Sequence, residues 1–184
     1  MQQSDKHNKQ EAVPKEIVVA EPSVLKELLF LLMKIATIVI VVVLLFTFMF
    51  GIHRNIGSSM YPAIKDADMV LFYRLNKEYV AKDILILSFE GEKQVCRVVA
   101  TAGDTVDITE EGLVINGALQ AEEQGSIRTI RYEGRVDFPI TVAEGEVFVL
   151  ADNRGNATDS RVYGAIRAED TLGKAIMILR KRDL

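Results

Sequence analysis

Tryptophan is absent from the 184 residues, cysteine occurs once, as Cys96, and histidine twice, as His7 and His53. One thiol excludes an internal disulfide, and without a cysteine–histidine spacing there is no zinc pattern; no cofactor is implied. A concentration of positive charge is also missing: 22 Lys and Arg against 26 Asp and Glu give a net charge of -4. With no basic patch interleaved with aromatics, nucleic acid is excluded as a partner. There is no internal repeat and no low-complexity tract. Setting aside the first fifty residues or so leaves about 130 to fold, enough for a single hydrophobic core.

What the sequence does have is one long apolar run. Residues 1–21 mix Gln, Asn, Lys, Glu and Asp and bury too little to offset their ordering entropy, so they read as a disordered tail. Residues 22–52 read as a membrane anchor helix and its approach. From Leu28 to Phe50 the only charge is Lys34, which can snorkel, and Gly51 and Ile52 are expected to complete the far end. The run ends in Phe48-Met49-Phe50-Gly51, not in a small-residue cleavage site, which favours a permanent anchor over a removed leader. Lys15, Lys26 and Lys34 precede the span and Arg54 alone follows closely, so the positive-inside bias predicts a single-pass protein in the cell membrane, amino terminus cytoplasmic and carboxy-terminal domain outside.

Residues 53–184 predict a mainly β domain. Met69–Arg74, Asp83–Phe89 and Lys93–Thr101 are rich in Val, Ile, Leu and Phe and bounded by turn residues. Thr105–Ile108 and Leu113–Ile115 flank Glu-Glu-Gly, and Asn116-Gly117 predicts a tight hairpin. Phe138–Val142, Val147–Leu150 and Leu172–Leu179 again look extended, whereas Gln120–Asp137 is polar and without a period. The sum is a mostly antiparallel, barrel-like domain of short strands whose loops carry the polar clusters.

The stretch with chemical promise is Gly57-Ser58-Ser59-Met60-Tyr61-Pro62, directly beyond the anchor. Gly57 permits positive φ and Pro62 stiffens the exit; alone, the stretch is an ordinary turn. Two further runs change that: Cys96-Arg97-Val98-Val99-Ala100-Thr101-Ala102-Gly103-Asp104, and Ala151-Asp152-Asn153-Arg154-Gly155-Asn156-Ala157-Thr158-Asp159-Ser160-Arg161. In this order, after an amino-terminal anchor, they resemble the type I signal peptidase family.

The resemblance implies a signal-peptidase-like antiparallel β fold and a serine–lysine dyad that removes signal peptides from exported proteins. Ser59 takes the nucleophile position. The family's general-base lysine precedes the arginine of the second run, and counting back from Gly103-Asp104 that position holds Cys96. Ala157 replaces the serine that orients the lysine. Ala102 stands for a family proline and Ala151 for a glycine. By the same resemblance Asp159 and Arg161, with Asp152 and Arg154, support the site; a loop ion pair is the plainer reading of Asp159 and Arg161, and the two are compatible. Gly57, Met60, Pro62 and Val95 are the expected binding positions, and the backbone amide of Ser59 is the expected oxyanion donor.

Nothing in the sequence replaces the lysine. A thiol acts as a base only as thiolate, which needs a cation or a helix amino terminus, and Lys93 and Arg97 have the opposite strand parity to Cys96. Some relatives use histidine, but His53 lies before Ser59 at the membrane exit. Cys96 therefore reads first as a small apolar core residue. Two functions stay open. One is a non-catalytic protein that takes an extended segment of an exported protein by strand addition. Degenerate members of the family accompany pilus assembly in Gram-positive bacteria, which makes pilin subunits or a sortase possible partners besides the lipid bilayer. The other is an active peptidase using Ser59 with an unusual base.

Overall fold

The apolar run folds as one helix, α1 (Val24–Met49), none of whose residues is buried. The computed structural model describes residues 24–121, 127–132, 135–155 and 157–180. The expected tail at 1–21, Asn156 and part of the polar stretch after Gln120 lie outside them. The chain divides into two units at Val42–Val43. At 1.5 Å per residue the 26 residues of α1 extend about 39 Å, more than the roughly 30 Å of a bilayer's hydrocarbon. The helix is long and apolar enough to cross a membrane without Phe50, Gly51 and Ile52.

Those three residues, expected to complete the span, instead open strand β1 (Phe50–Arg54), which pairs antiparallel with β2 (Met69–Tyr73). Pairing satisfies their backbone groups, and Gly51 makes room for a neighbour. A Cβ there would meet the ring of Phe72 at 2.2 Å.

The remaining strands are β3 (Ile84–Phe89), β4 (Glu92–Thr101), β5 (Thr105–Thr109), β6 (Gly112–Ile115), β7 (Ala118–Leu119), β8 (Ile140–Thr141), β9 (Glu146–Leu150), β10 (Ile166–Arg167) and β11 (Gly173–Leu179). A short helix, α2 (Ser160–Tyr163), precedes β10. They form a seven-stranded sheet in the order β1-β2-β11-β3-β4-β9-β10 and a four-stranded sheet in the order β7-β6-β5-β8. Every pairing is antiparallel. Asn116 and Gly117 both have positive φ, 52° and 79°, as a two-residue hairpin turn of the primed type requires; this turn joins β6 to β7.

Strand β4 organises the core because it is buried on both faces. Val95 packs with Met60, Ile64, Val70, Phe72 and Ile86 on one side. Cys96 packs with Leu85, Leu87, Val98, Val147 and Val149 on the other, as the period of two demands. A third cluster, centred on Phe148 and Leu150, lies against Val106 and Ile108 of the small sheet. On its β9 side, β4 is paired only from Arg97, opposite Leu150, to Thr101, opposite Val147. Residues 92–96 therefore have a free strand edge there among the described residues.

Candidate active site

The loop that carries Ser59 is fixed from three directions. Met60 is completely buried and anchors the loop in the core. The Gly57 amide donates to Asp66 Oδ1 at 2.8 Å, and Gly57 has the positive φ, 86°, that its lack of a side chain permits. From the far side Asn153 donates its backbone amide to the Ser59 carbonyl at 2.8 Å and its Nδ2 to the Ser58 carbonyl at 3.1 Å. All of this engages backbone; among the described residues neither the hydroxyl nor the amide of Ser59 has a partner.

Where β9 leaves the edge of β4 uncovered there is a groove of about 360 Å³, walled by Ser59, by Gln94, Val95 and Cys96 of β4, by Tyr132, and by the loop residues Ala151, Gly155, Ala157 and Thr158. The structure thus brings together five residues the sequence singled out: Ser59, Val95, Cys96, Ala151 and Ala157. Of the four expected binding positions only Val95 lines the groove. Met60 is a core residue beneath it, and Gly57 and Pro62 are exposed and outside it.

Of the supporting residues, Asp159 and Arg161 pair with each other and Asp152 pairs with Arg97. Asp159 caps α2 and accepts from the Arg161 amide at 3.1 Å, Arg161 Nε at 2.8 Å and Nη2 at 2.9 Å, and from the Ala151 amide at 3.1 Å. Neither side chain is exposed at all. Asp152 is instead held by Arg97, bidentate at 2.7 and 2.6 Å, and Arg154 reaches Thr129 Oγ1 at 2.5 Å. Arg97 thus turns to Asp152 rather than to Cys96, in line with its opposite parity.

Among the described residues no lysine or histidine lines the groove. His53 stands on β1 opposite Val70, and burial, then the charge of Lys93, holds its imidazole below the ordinary value. Lys77 is also pushed down, by burial and by Arg74, but its ammonium is bonded to the carbonyl and hydroxyl of Thr171. Cys96 is 2% exposed. Burial, with the charge of Asp159 next, pushes its thiol up to about 12, while the hydrogen bond with Tyr163, at 3.9 Å, pulls the other way. The neighbouring charges are those of carboxylates, the reverse of what activates a thiol, so at neutral pH Cys96 is an uncharged core side chain.

A pH dependence follows. The unfolded thiol ionises near its ordinary 9.0 and the folded one only near 12, so the stability it contributes is intact below pH 9 and is lost as pH rises through that window. Between pH 8 and 10.5 this one group removes about 2 kcal/mol from the unfolding free energy. Chemical unfolding of native and Cys96→Ala chains across that range is expected to show the shallower decline in the variant.

Sequence reasoning passed over Asn153 and Tyr132. Tyr132 walls the groove, donates its hydroxyl to the Ala157 carbonyl at 3.3 Å and lies 4.6 Å below the Arg161 guanidinium, a cation–π contact. It comes from the polar stretch without a period, where no local signal could have found it. Asn153 stood inside the recognised run, but only the fold shows that it holds the Ser59 loop. Among the described residues no group of His, Cys, Asp and Glu could hold a metal ion.

Comparison with known proteins decides the family. The model for signal peptidase, peptidase S26, matches residues 28–180. The chain belongs to the signal peptidase family. Signal peptidase I T of Bacillus subtilis (strain 168) is 34% identical over 73% of this chain and 75% of its own. A signal peptidase I of Bacillus amyloliquefaciens is 31% identical over 67% and 71%. The thylakoidal processing peptidase 1 of Arabidopsis thaliana is 28% identical over 65% of this chain and 39% of its own. Among solved structures, a signal peptidase I from Enterococcus faecalis V583 aligns over 53% of this chain and 96% of its own, at 26% identity and a TM-score of 0.42.

Proposed function

We propose that this family member is anchored in the cell membrane by α1, amino terminus inside and β domain outside, and that it holds an extended segment of an exported protein along the free edge of β4 without cutting it. The observation that carries this reading is the groove wall at position 96. Where the family's chemistry needs a group that takes the proton from Ser59, there is a buried thiol pushed up to about 12, and among the described residues no lysine or histidine lines the groove to replace it. Ala157 supports the same reading, since the oriented lysine and the residue that orients it are both missing. The likeness to signal peptidases makes exported proteins the class of partner. The resemblance to degenerate family members makes assistance in assembling surface proteins, pilin subunits joined by a sortase among them, the role.

One observation favours a second reading, an active peptidase with an unusual base. Ser59 is partly exposed and lines the groove, and its hydroxyl has no partner among the described residues, as a nucleophile awaiting substrate would be. The two readings separate in one assay. Full chain in detergent is offered a pre-protein with a small-residue signal cleavage site, beside Ser59→Ala. The expected result is no cleavage by either. Cleavage by the native chain that Ser59→Ala abolishes overturns the proposal and establishes the second reading.

A further inference from the structure

Gln94 stands on β4 two residues before Cys96 and therefore on the same face, with Leu87 of β3 as its cross-strand partner. Gln94 helps wall the groove, and its Oε1 is buried without a hydrogen-bond partner among the described residues. A buried carbonyl oxygen in that state is unfavourable, and native proteins keep few of them. The polar neighbours do not relieve it. The Tyr132 hydroxyl is committed to the Ala157 carbonyl, and Thr158, although in the wall, makes no hydrogen bond among the described residues.

The unused acceptor lies beside the strand edge that β9 leaves open. An extended segment added to that edge pairs its side chains with those of β4, face by face, with Cβ atoms about 4.5–5.5 Å apart. One side chain of the segment is then the neighbour of Gln94, close enough to supply the missing donor.

We infer that Gln94 selects what the groove accepts: an extended peptide bearing a hydrogen-bond-donating side chain, such as serine, threonine or asparagine, beside Gln94, in preference to an apolar side chain of the same size. This rests on the reading of the groove as a peptide site. It names the class of segment that the site takes. It also sets a rule of register, because only the residue paired with Gln94 is read in this way.

The test uses the full chain in detergent micelles and fluorescently labelled, amino-terminally blocked decapeptides, in which each position in turn is Ala or Ser, and Leu or Asn, with anisotropy as the readout. At one position Ser is expected to bind tighter than Ala and Asn tighter than Leu, by roughly threefold to tenfold, the range of a net hydrogen bond. In Gln94→Met, which keeps the length and removes the amide, the preference disappears. In Gln94→Glu, which keeps an acceptor, it survives. Thermal unfolding of the variants alongside the native chain separates a lost preference from a lost fold. A preference that persists in Gln94→Met, or peptides that bind with no preference at any position, overturns the role of Gln94 and leaves the peptide site standing. If no peptide of the set binds, the peptide-site reading falls, and this inference with it.

Discussion

Replacing Arg161 by Met is expected to lower the unfolding free energy by about 3–5 kcal/mol, which is about what removing one partner of a fully buried ion pair costs. The reason lies in what is left behind. Asp159 is not exposed at all, so once the guanidinium is removed its carboxylate keeps only the amides of Ala151 and Arg161 as donors. The same change takes the cation from above the Tyr132 ring, 4.6 Å away, and so loosens one wall of the groove. For a domain of this size the loss corresponds to roughly 10–20 °C in the unfolding midpoint. Arg161→Lys is expected to fall between, because an ammonium keeps the charge but not the two-pronged bond or the flat stacking surface. Asp159→Leu combined with Arg161→Met is expected to lose much less than Arg161→Met alone, since no buried charge then stands unpaired. Thermal and chemical unfolding of the four chains checks this. Equal losses in Arg161→Met and the double variant would mean that packing, not charge, holds α2 to β9.

The second large effect concerns chemistry. Cys96→Lys is expected to give a chain that cleaves signal peptides, and Cys96→Lys with Ala157→Ser a better one. A general base contributes about 10²–10⁴-fold, and on the proposed reading the native chain lacks that group and the serine that orients it, in a groove where the serine loop is otherwise held. The site suits a neutral amine. Its desolvation, which pushes the thiol up, acts on an ammonium in the opposite sense and pulls it down, although the charge of Asp159 opposes this. Because the free amine is the active form, cleavage by the restored chains should rise with pH through the lysine's titration and vanish in Ser59→Ala. If the restored chains unfold like the native one and remain silent, then more than the base has been lost, and the groove itself no longer presents a peptide bond to Ser59.

Most of the fold was legible in the sequence because strands of Val, Ile, Leu and Phe between turn residues carry their own period; β2 to β6, β9 and β11 fall close to where that pattern puts them. What was not legible depended on pairing. Phe50, Gly51 and Ile52 are as apolar as the span before them, and only β2, which is distant in sequence, turns them into a strand. The two-residue strands β7 and β10 are too short to carry a period, whereas β8 lies inside the expected run Phe138–Val142, and α2 exists because Asp159 caps it. The site divided in the same way. Ser59, Cys96 and Ala157 were found by their place in recognisable runs. Tyr132 and Gln94 enter the groove through tertiary packing and the early end of β9, and neither leaves a mark in the local sequence. Met60 and Pro62, prominent in the serine stretch, proved to shape and flank the loop rather than to wall the groove.

Neighbouring positions on β4 face opposite ways, and this has a bearing on how such a protein can arise. Val95 belongs to the cluster that seats the serine loop through Met60, and Cys96 to the cluster on the far side of the sheet. The pleat therefore insulates them. Position 96 can therefore change without disturbing the layer that shapes the serine loop. On the proposed reading, replacing the family's base there removed the reaction and left the serine loop seated as before.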